Sequence, residues 1–456
     1  MSDAADRGLV RDLGPLATTA IVVGGVIGTG VFLKARVMTC NVGTPVLVVA
    51  AWVTAGLMSL TGALTYAELA ALLPRAGGEY AFVRDAYGRL LGFLCGWTRF
   101  FVASTGGFAG LAMGFAIFLN IASGGRLAHP LRQAEIAAAA IAVVTIMNCA
   151  AVSVGGRIAS TMAILKVTLV LGIGIGAFLL ADGNWAHYAM SAAGGSCEGV
   201  PEAARGGIAG FGAAMLGALW AYNGWNEVTF VAAEVKNPAR NLPIAIIGGI
   251  LILIVLYVSA NASYFYVLTP AEVASVSLSS AVATQSIVRF LGHGVEGLMA
   301  AALAMSVFGS LQVTTLTSAR IPYAMAVDGL FFRALGEVSP VTRVPVRALI
   351  AQAVWAIVLV FSGSYDSLTD YAIFAVLIFV VLVTASVFVF RRTMPDAPRG
   401  YRTLGYPVVP VLFLIVASWV ILNTVVATPD RALAGIGLML AGLPFYWYWS
   451  RPAARR

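Results

Sequence analysis

Two stretches of this 456-residue chain place loose and polar residues where an apolar helix is otherwise expected. The first is GGVIGTGVF at 24–32, with Gly24, Gly25, Gly28, Thr29 and Gly30 inside an apolar run. The second is WAYNGWNE at 220–227, with Asn223, Gly224, Asn226 and Glu227 inside another. Glycine costs about 1 kcal/mol relative to alanine in a helix interior, and an unpaired polar group in hydrocarbon costs more. Backbone opened at that depth persists only where it faces a cavity. There the free N–H groups of a half-helix N-terminus attract an anion, and freed carbonyls accept from an ammonium. A site with both poles fits a zwitterion such as an α-amino acid. Glycines in membrane helices also serve close packing, but two clusters, one beside Asn, Trp and Glu, favour a ligand. The glycine string is not a dinucleotide loop, because no strand precedes it and no acidic residue follows about 20 residues on.

The elements that must position these stretches follow from composition. Sixty per cent of the residues are hydrophobic, 11% are charged and mean hydropathy is +0.91, whereas soluble domains carry roughly a quarter charged residues. Apolar runs long enough to cross a bilayer recur throughout. The expectation is an all-α membrane protein of about twelve transmembrane helices, at 13–37, 43–73, 90–122, 134–153, 158–181, 208–234, 242–268, 296–320, 346–363, 368–390, 407–427 and 431–450. The first run exceeds the core of a cleavable signal peptide and reads as a span. Twelve spans put both termini on one side. On that side fall nineteen of the 28 lysines and arginines, including Arg7, Arg455 and Arg456, against seven on the other. Basic loops stay inside, so the N- and C-termini are expected in the cytoplasm, with the protein in the plasma (inner) membrane. The net charge of +8 then reflects this bias beside an anionic leaflet and needs no nucleic acid partner.

One interruption falls in span 1 and the other in span 6, which suits a five-span repeat. Five is odd, so the second copy is inverted, and interrupted helices at matched positions point to a transporter's binding site. The domain reading is a single transmembrane unit over 1–456, with repeats at 13–181 and 208–390 and two extra helices in 407–450. Lys166 lies inside span 5. An intramembrane charge is functional by default; snorkelling is a stretch, because Lys166 stands roughly 13 Å along the helix from Arg157 at 1.5 Å per residue. Glu68, Glu79 and Glu234 lie near span ends beside Arg75, Arg84 and Arg240, either as inner-gate ion pairs or as solvated loop charges. Arg99 is placed at the interface. Ser104 and Ser306 are either pocket residues or small residues at helix contacts. Four cysteines without a CxxC spacing and three scattered histidines argue against a metal site or a cofactor. Cys40 and Cys197 could both face outside, but free buried thiols are the expectation. No HExxH, GxSxG or intramembrane acidic pair supports an enzyme, and no filter loop or charge ring supports a channel.

The residues IGTGVF at 27–32, PRAGGEYAFVRDAYG at 74–88, AYNGWNEVTFVAAEVKNPARNLPIAI at 221–246 and SARIPYAMAVDGLFFRALGEVSP at 318–340 carry a resemblance. Over nearly its whole length the chain resembles the amino acid–polyamine–organocation transporters. Within them it is most similar to the L-type amino acid transporters that form light chains of heteromeric exchangers. The resemblance implies a LeuT-like fold with alternating access around a central site. It implies a substrate-binding set of Val26, Ile27, Gly28, Thr29, Gly30, Trp220, Ala221, Asn223 and Gly224. The N–H groups around Gly28, Thr29 and Gly30 would hold the carboxylate, the carbonyls of Val26, Trp220 and Asn223 would take the ammonium, and Trp220 would be the gate. Lys166 would lie where sodium-coupled relatives bind their cation, which implies sodium independence. The expected function is a secondary transporter of L-amino acids, working as an exchanger, with proton-coupled amino acid symport as the alternative through Lys166. Asn223 stands where many light chains have a glycine, and with no acid before Glu227 a neutral substrate is expected. Vertebrate light chains pair through a cysteine in the loop between spans 3 and 4. Residues 123–133 contain none, so no disulfide-linked heavy chain is expected; the partners are amino acids and membrane lipids.

Overall fold

The computed structural model describes residues 9–451 except 151, 278, 279, 364 and 428. Arg7, Arg455 and Arg456 lie outside the described residues. Span 1 is two helices, α1 (Pro15–Val26) and α2 (Gly30–Val42), and span 2 is α3 (Pro45–Leu72). A short α4 (Glu79–Tyr87) leads into span 3, made of α5 (Arg89–Thr98), a π-helical turn over Arg99–Ala103 and α6 (Ser104–Ala122). Spans 4 and 5 are α7 (Pro130–Asn148) and α8 (Val152–Leu180). Span 6 is α9 (Gly207–Tyr222) and, past a break, 3₁₀ turns over Glu227–Glu234; span 7 is α10 (Pro238–Val267). Two short helices, α11 (Pro270–Ala274) and α12 (Val282–Leu291), precede span 8, which is α13 (Glu296–Ser318) continued by α14 (Arg320–Val327). Spans 9 to 12 are α15 (Val346–Val360), α16 (Tyr365–Thr393), α17 (Val408–Ala427) and the pair α18 (Pro429–Leu440) and α19 (Leu443–Ser450).

Each of the twelve expected spans has a helical counterpart. Among the described residues ten are long and apolar enough to cross a membrane. The two short ones are α15, with 15 residues, and α9, which stops at its break after 16. Helix starts are local decisions. Proline occupies the first turn of α1, α3, α7 and α10, where its missing N–H costs nothing. Large apolar side chains such as Leu179, Ile208 and Val426 are more than seven-tenths exposed, as expected of a surface that meets lipid rather than water.

Both ends of the bundle are tied. At the end carrying Leu13, the N–H groups of Asp12 and Leu13 both donate to the Glu234 carbonyl at 3.0 Å, and the Lys236 N–H donates to the Leu13 carbonyl at 2.9 Å. The loop before α4 tucks against the 3₁₀ segment, with the Gly77 N–H donating to the Phe230 carbonyl at 3.1 Å. Gly78, at φ +41°, would bring a Cβ to 2.5 Å from Thr229 Oγ1. At the other end Cys40 of α2 is disulfide-bonded to Cys197, with Cα atoms 5.6 Å apart. This overturns the expected free thiols: the two cysteines are 157 residues apart, and only the approach of α2 to the loop after α8 brings them within reach. Cys95 and Cys149 are free.

The glutamates near the span ends are neither solvated nor paired with their neighbours in sequence. Glu234 and Arg320 are both fully buried and joined by bonds of 2.8 and 3.0 Å. Glu68 accepts from Arg391 at 2.7 and 3.0 Å and pairs with Arg399 at 3.2 Å. Glu79 pairs with Arg99. The expected partners Arg75 and Arg84 instead engage Asp85 and, for Arg84, Asp328. A charge removed from water needs a partner with several aligned donors, and the fold supplies those across helices.

Candidate functional site

Helix α1 stops where Ile27 turns to φ −69°, ψ 85°, and α2 restarts at Gly30. The third and fourth residues of α2, Phe32 and Leu33, donate their N–H groups to the Thr29 carbonyl at 3.1 and 3.0 Å. Helix α9 stops at Tyr222; Asn223 is extended at φ −64°, ψ 146°, and Gly224 takes φ +109°, a conformation that favours glycine. The two interruptions face each other. A Cβ on Gly30 would lie 2.4 Å from Ala221 Cβ and 2.5 Å from its Cα, so α2 and α9 touch through backbone there. Trp220 Nε1 donates to Thr29 Oγ1 at 3.3 Å across the gap.

A cavity opens between them. Span 1 contributes Gly25, Val26, Gly28, Thr29 and Gly30, and span 6 contributes Trp220, Asn223 and Glu227. Span 3 adds Arg99, Ala103, Ser104, Gly107 and Leu111, and span 8 adds Thr314. Six of the nine residues expected at the substrate therefore line one space. The other three sit behind it. Ile27 offers its carbonyl to Ser310 Oγ at 2.7 Å, Ala221 packs on Gly30, and Gly224 supplies the turn. The Val26 carbonyl already accepts from the Tyr257 hydroxyl at 2.9 Å, which leaves one of its two lone pairs for a ligand.

Lys166 is fully buried. Its Nζ donates to the Gly24 carbonyl and to Ser310 Oγ, both at 2.5 Å, and so reaches the last turn of α1. The carbonyls at a helix C-terminus carry partial negative charge. Here the Lys166 amino group takes that of Gly24, and the Ser310 hydroxyl takes that of Ile27 just beyond the helix. Gly309 makes room, since a Cβ there would stand 3.1 Å from Lys166 Cε.

Sequence reasoning missed the wall formed by Arg99, Glu227 and Thr314. Arg99 is 2% exposed, not interfacial, and donates from Nε to Glu79 Oε2 at 2.6 Å. The other oxygen of Glu79 accepts from the Tyr66 hydroxyl at 2.7 Å and from Asn226 Nδ2. Glu227 Oε2 accepts from Thr317 Oγ1 at 3.0 Å. The helical arithmetic applied to Lys166 was the available signal, for Arg99 lies ten residues beyond Arg89 in an apolar run. Its π-helical turn is a feature often found at functional sites. Ser104 lines the cavity, whereas Ser306 is not among its lining residues. A second cavity, towards the disulfide end, is lined by Lys34, Asp370, Phe374 and Asn423. There Lys34 Nζ links α2 to α16 through Thr369 Oγ1 at 3.0 Å and Asp370 at 3.5 Å. It contains neither broken helix end.

An integral bundle of apolar helices, two of them interrupted around a shared polar cavity, defines a membrane transporter. The amino acid permease family model matches residues 13–443, and the chain belongs to that family. It is similar to the b(0,+)-type amino acid transporter 1 of Mus musculus, at 29% identity over 96% of this chain and 88% of that protein. It is also similar to the serine/threonine exchanger SteT of Bacillus subtilis (strain 168), at 28% identity over 97% of each chain. The large neutral amino acids transporter small subunit 2 of Homo sapiens is 28% identical over 97% of this chain and 81% of its own length. The protein is thus an amino acid transporter and not an enzyme.

Proposed function

We propose that the protein exchanges neutral L-amino acids across the membrane, independently of sodium, by alternating access around the cavity between spans 1 and 6. The observation that carries this reading is the facing pair of helix interruptions, one of whose flanking turns is held by Lys166. The substrate carboxylate would meet the N–H groups at Gly28, Thr29 and Gly30. Its ammonium would meet the carbonyls of Val26, Trp220 and Asn223, with Trp220 as the gate. In this reading residues 13–181 and 208–390 are inverted repeats and 407–450 an appended pair. The charge bias puts the Leu13 end in the cytoplasm. The Cys40–Cys197 disulfide at the opposite end supports the same orientation, because disulfides persist in oxidising compartments. The cysteine-free loop at 123–133 supports action without a disulfide-linked heavy chain.

The test is uptake of labelled amino acids by reconstituted vesicles. Uptake is expected to rise when the vesicles are preloaded with unlabelled substrate and to be indifferent to sodium. Uptake into empty vesicles driven by a pH step would replace exchange with proton symport. A sodium requirement would remove the role given to Lys166. Changing Lys166 to methionine deletes two buried hydrogen bonds, each worth about 0.5–1.5 kcal/mol, and leaves the Gly24 carbonyl short of a donor. Exchange by Lys166→Met is therefore expected to fall at least tenfold at equal protein per vesicle, and wild-type rates in this variant would contradict the assignment.

A further inference from the structure

The zwitterion contacts leave part of the cavity wall unused, and that part is polar. Glu227 begins the 3₁₀ segment beyond the span 6 break and is 4% exposed. Thr317 donates to one of its oxygens and Thr314 also hydrogen-bonds its carboxyl group, while a carboxylate offers about four acceptor positions. Ser104, 6% exposed, also lines the cavity. Its hydroxyl has no hydrogen-bond partner among the described residues. A buried hydroxyl left without a partner is costly and calls for an explanation. Thr314 lines the same space beside Glu227.

We infer that Glu227 and Ser104 form a side-chain subsite that selects small neutral amino acids carrying a hydrogen-bond donor, namely a hydroxyl or a carboxamide. This rests on the exchange reading above. Glu227 supplies the acceptor, and Ser104 pairs with the same polar group or with its oxygen. The subsite is short: Ala103 and Gly107 leave space on span 3, and Leu111 borders it. Length argues against lysine and arginine, whose side chains outrun this short space; Arg99 is also on that wall. Glu79 engages Arg99 from the other side, which keeps that guanidinium in place. An apolar side chain of equal size fills the space but leaves the Ser104 hydroxyl unmatched and the remaining acceptor positions of Glu227 unused.

Threonine and valine have nearly the same shape and isolate the hydroxyl. Labelled threonine and labelled valine are each offered to vesicles preloaded with an equimolar mixture of the two. Wild-type protein is expected to favour threonine by roughly 10- to 100-fold, the range for a hydrogen bond to a charged group, in a site that rejects the analogue lacking the donor. In Glu227→Leu the ratio should collapse towards unity. Glu227→Gln, which keeps an acceptor oxygen, should retain part of it, and Ser104→Ala should lower it less. The ratio is a selectivity, so a variant that merely inserts poorly does not move it. If Glu227→Leu carries nothing, the wild-type and Ser104→Ala ratios decide. Equal handling of threonine and valine by the wild type, an unchanged ratio in Glu227→Leu, or preferential uptake of lysine or arginine overturns the subsite. Failure of every amino acid in the panel to exchange would instead overturn the exchange reading itself.

Discussion

Changing Gly30 to alanine is expected to reduce exchange by about 100-fold, the scale on which a 1 Å displacement of positioned groups acts. The added Cβ would sit 2.4 Å from Ala221 Cβ and 2.5 Å from Ala221 Cα. Trimming Ala221 to glycine would not relieve the clash, because the Cα remains. The backbones of α2 and α9 must separate, and the two interruptions are displaced from each other. Overpacking of this kind also destabilises, typically by about 1–3 kcal/mol, so thermal unfolding in detergent is measured alongside vesicle exchange. Gly248→Ala on α10 is the control, since its Cβ would meet nothing within 4 Å. Undiminished exchange by Gly30→Ala would mean that close contact between the half-helices is not needed.

The second large effect concerns Glu234 and Arg320. Both are fully buried, and Arg320 donates also to the Leu316 carbonyl at 2.5 Å. The Glu234 backbone carbonyl receives the N–H groups of Asp12 and Leu13, so this residue joins the end of span 6 to span 8 and to the residues just before α1. Removing one member of a buried pair strands the other charge and costs about 3–5 kcal/mol, whereas removing both is often far milder. Arg320→Met is therefore expected to lower the unfolding temperature strongly, and the double variant Glu234→Met, Arg320→Met to recover part of that loss. A double variant less stable than Arg320→Met would rule out a stranded charge as the cause.

Several features were readable without coordinates because their causes are local. Prolines set helix starts, long apolar runs require a bilayer, and glycines with asparagine at 24–30 and 220–227 open the backbone. Each depends on residues a few positions apart. Lys166 was legible for a similar reason, since a charge deep in an apolar run must find a use.

The partners of buried groups were not legible. Glu79 stands five residues from Arg84 yet pairs with Arg99, and Glu234 stands six from Arg240 yet pairs with Arg320. Cys40 and Cys197 gave no spacing signal, and Glu227, though part of the second interruption, was not among the residues expected at the substrate. The chain by itself determined that this is a many-spanned membrane protein with two weak points in its helices, because composition and helix breaking act over one or two turns. Only the tertiary structure decided that those weak points meet, that Lys166 grips one of them, and that Arg99, Ser104 and Glu227 complete the space between. Hydrogen bonds and charge pairs act over a few ångströms, and which residues come that close is a property of helix packing across the whole fold.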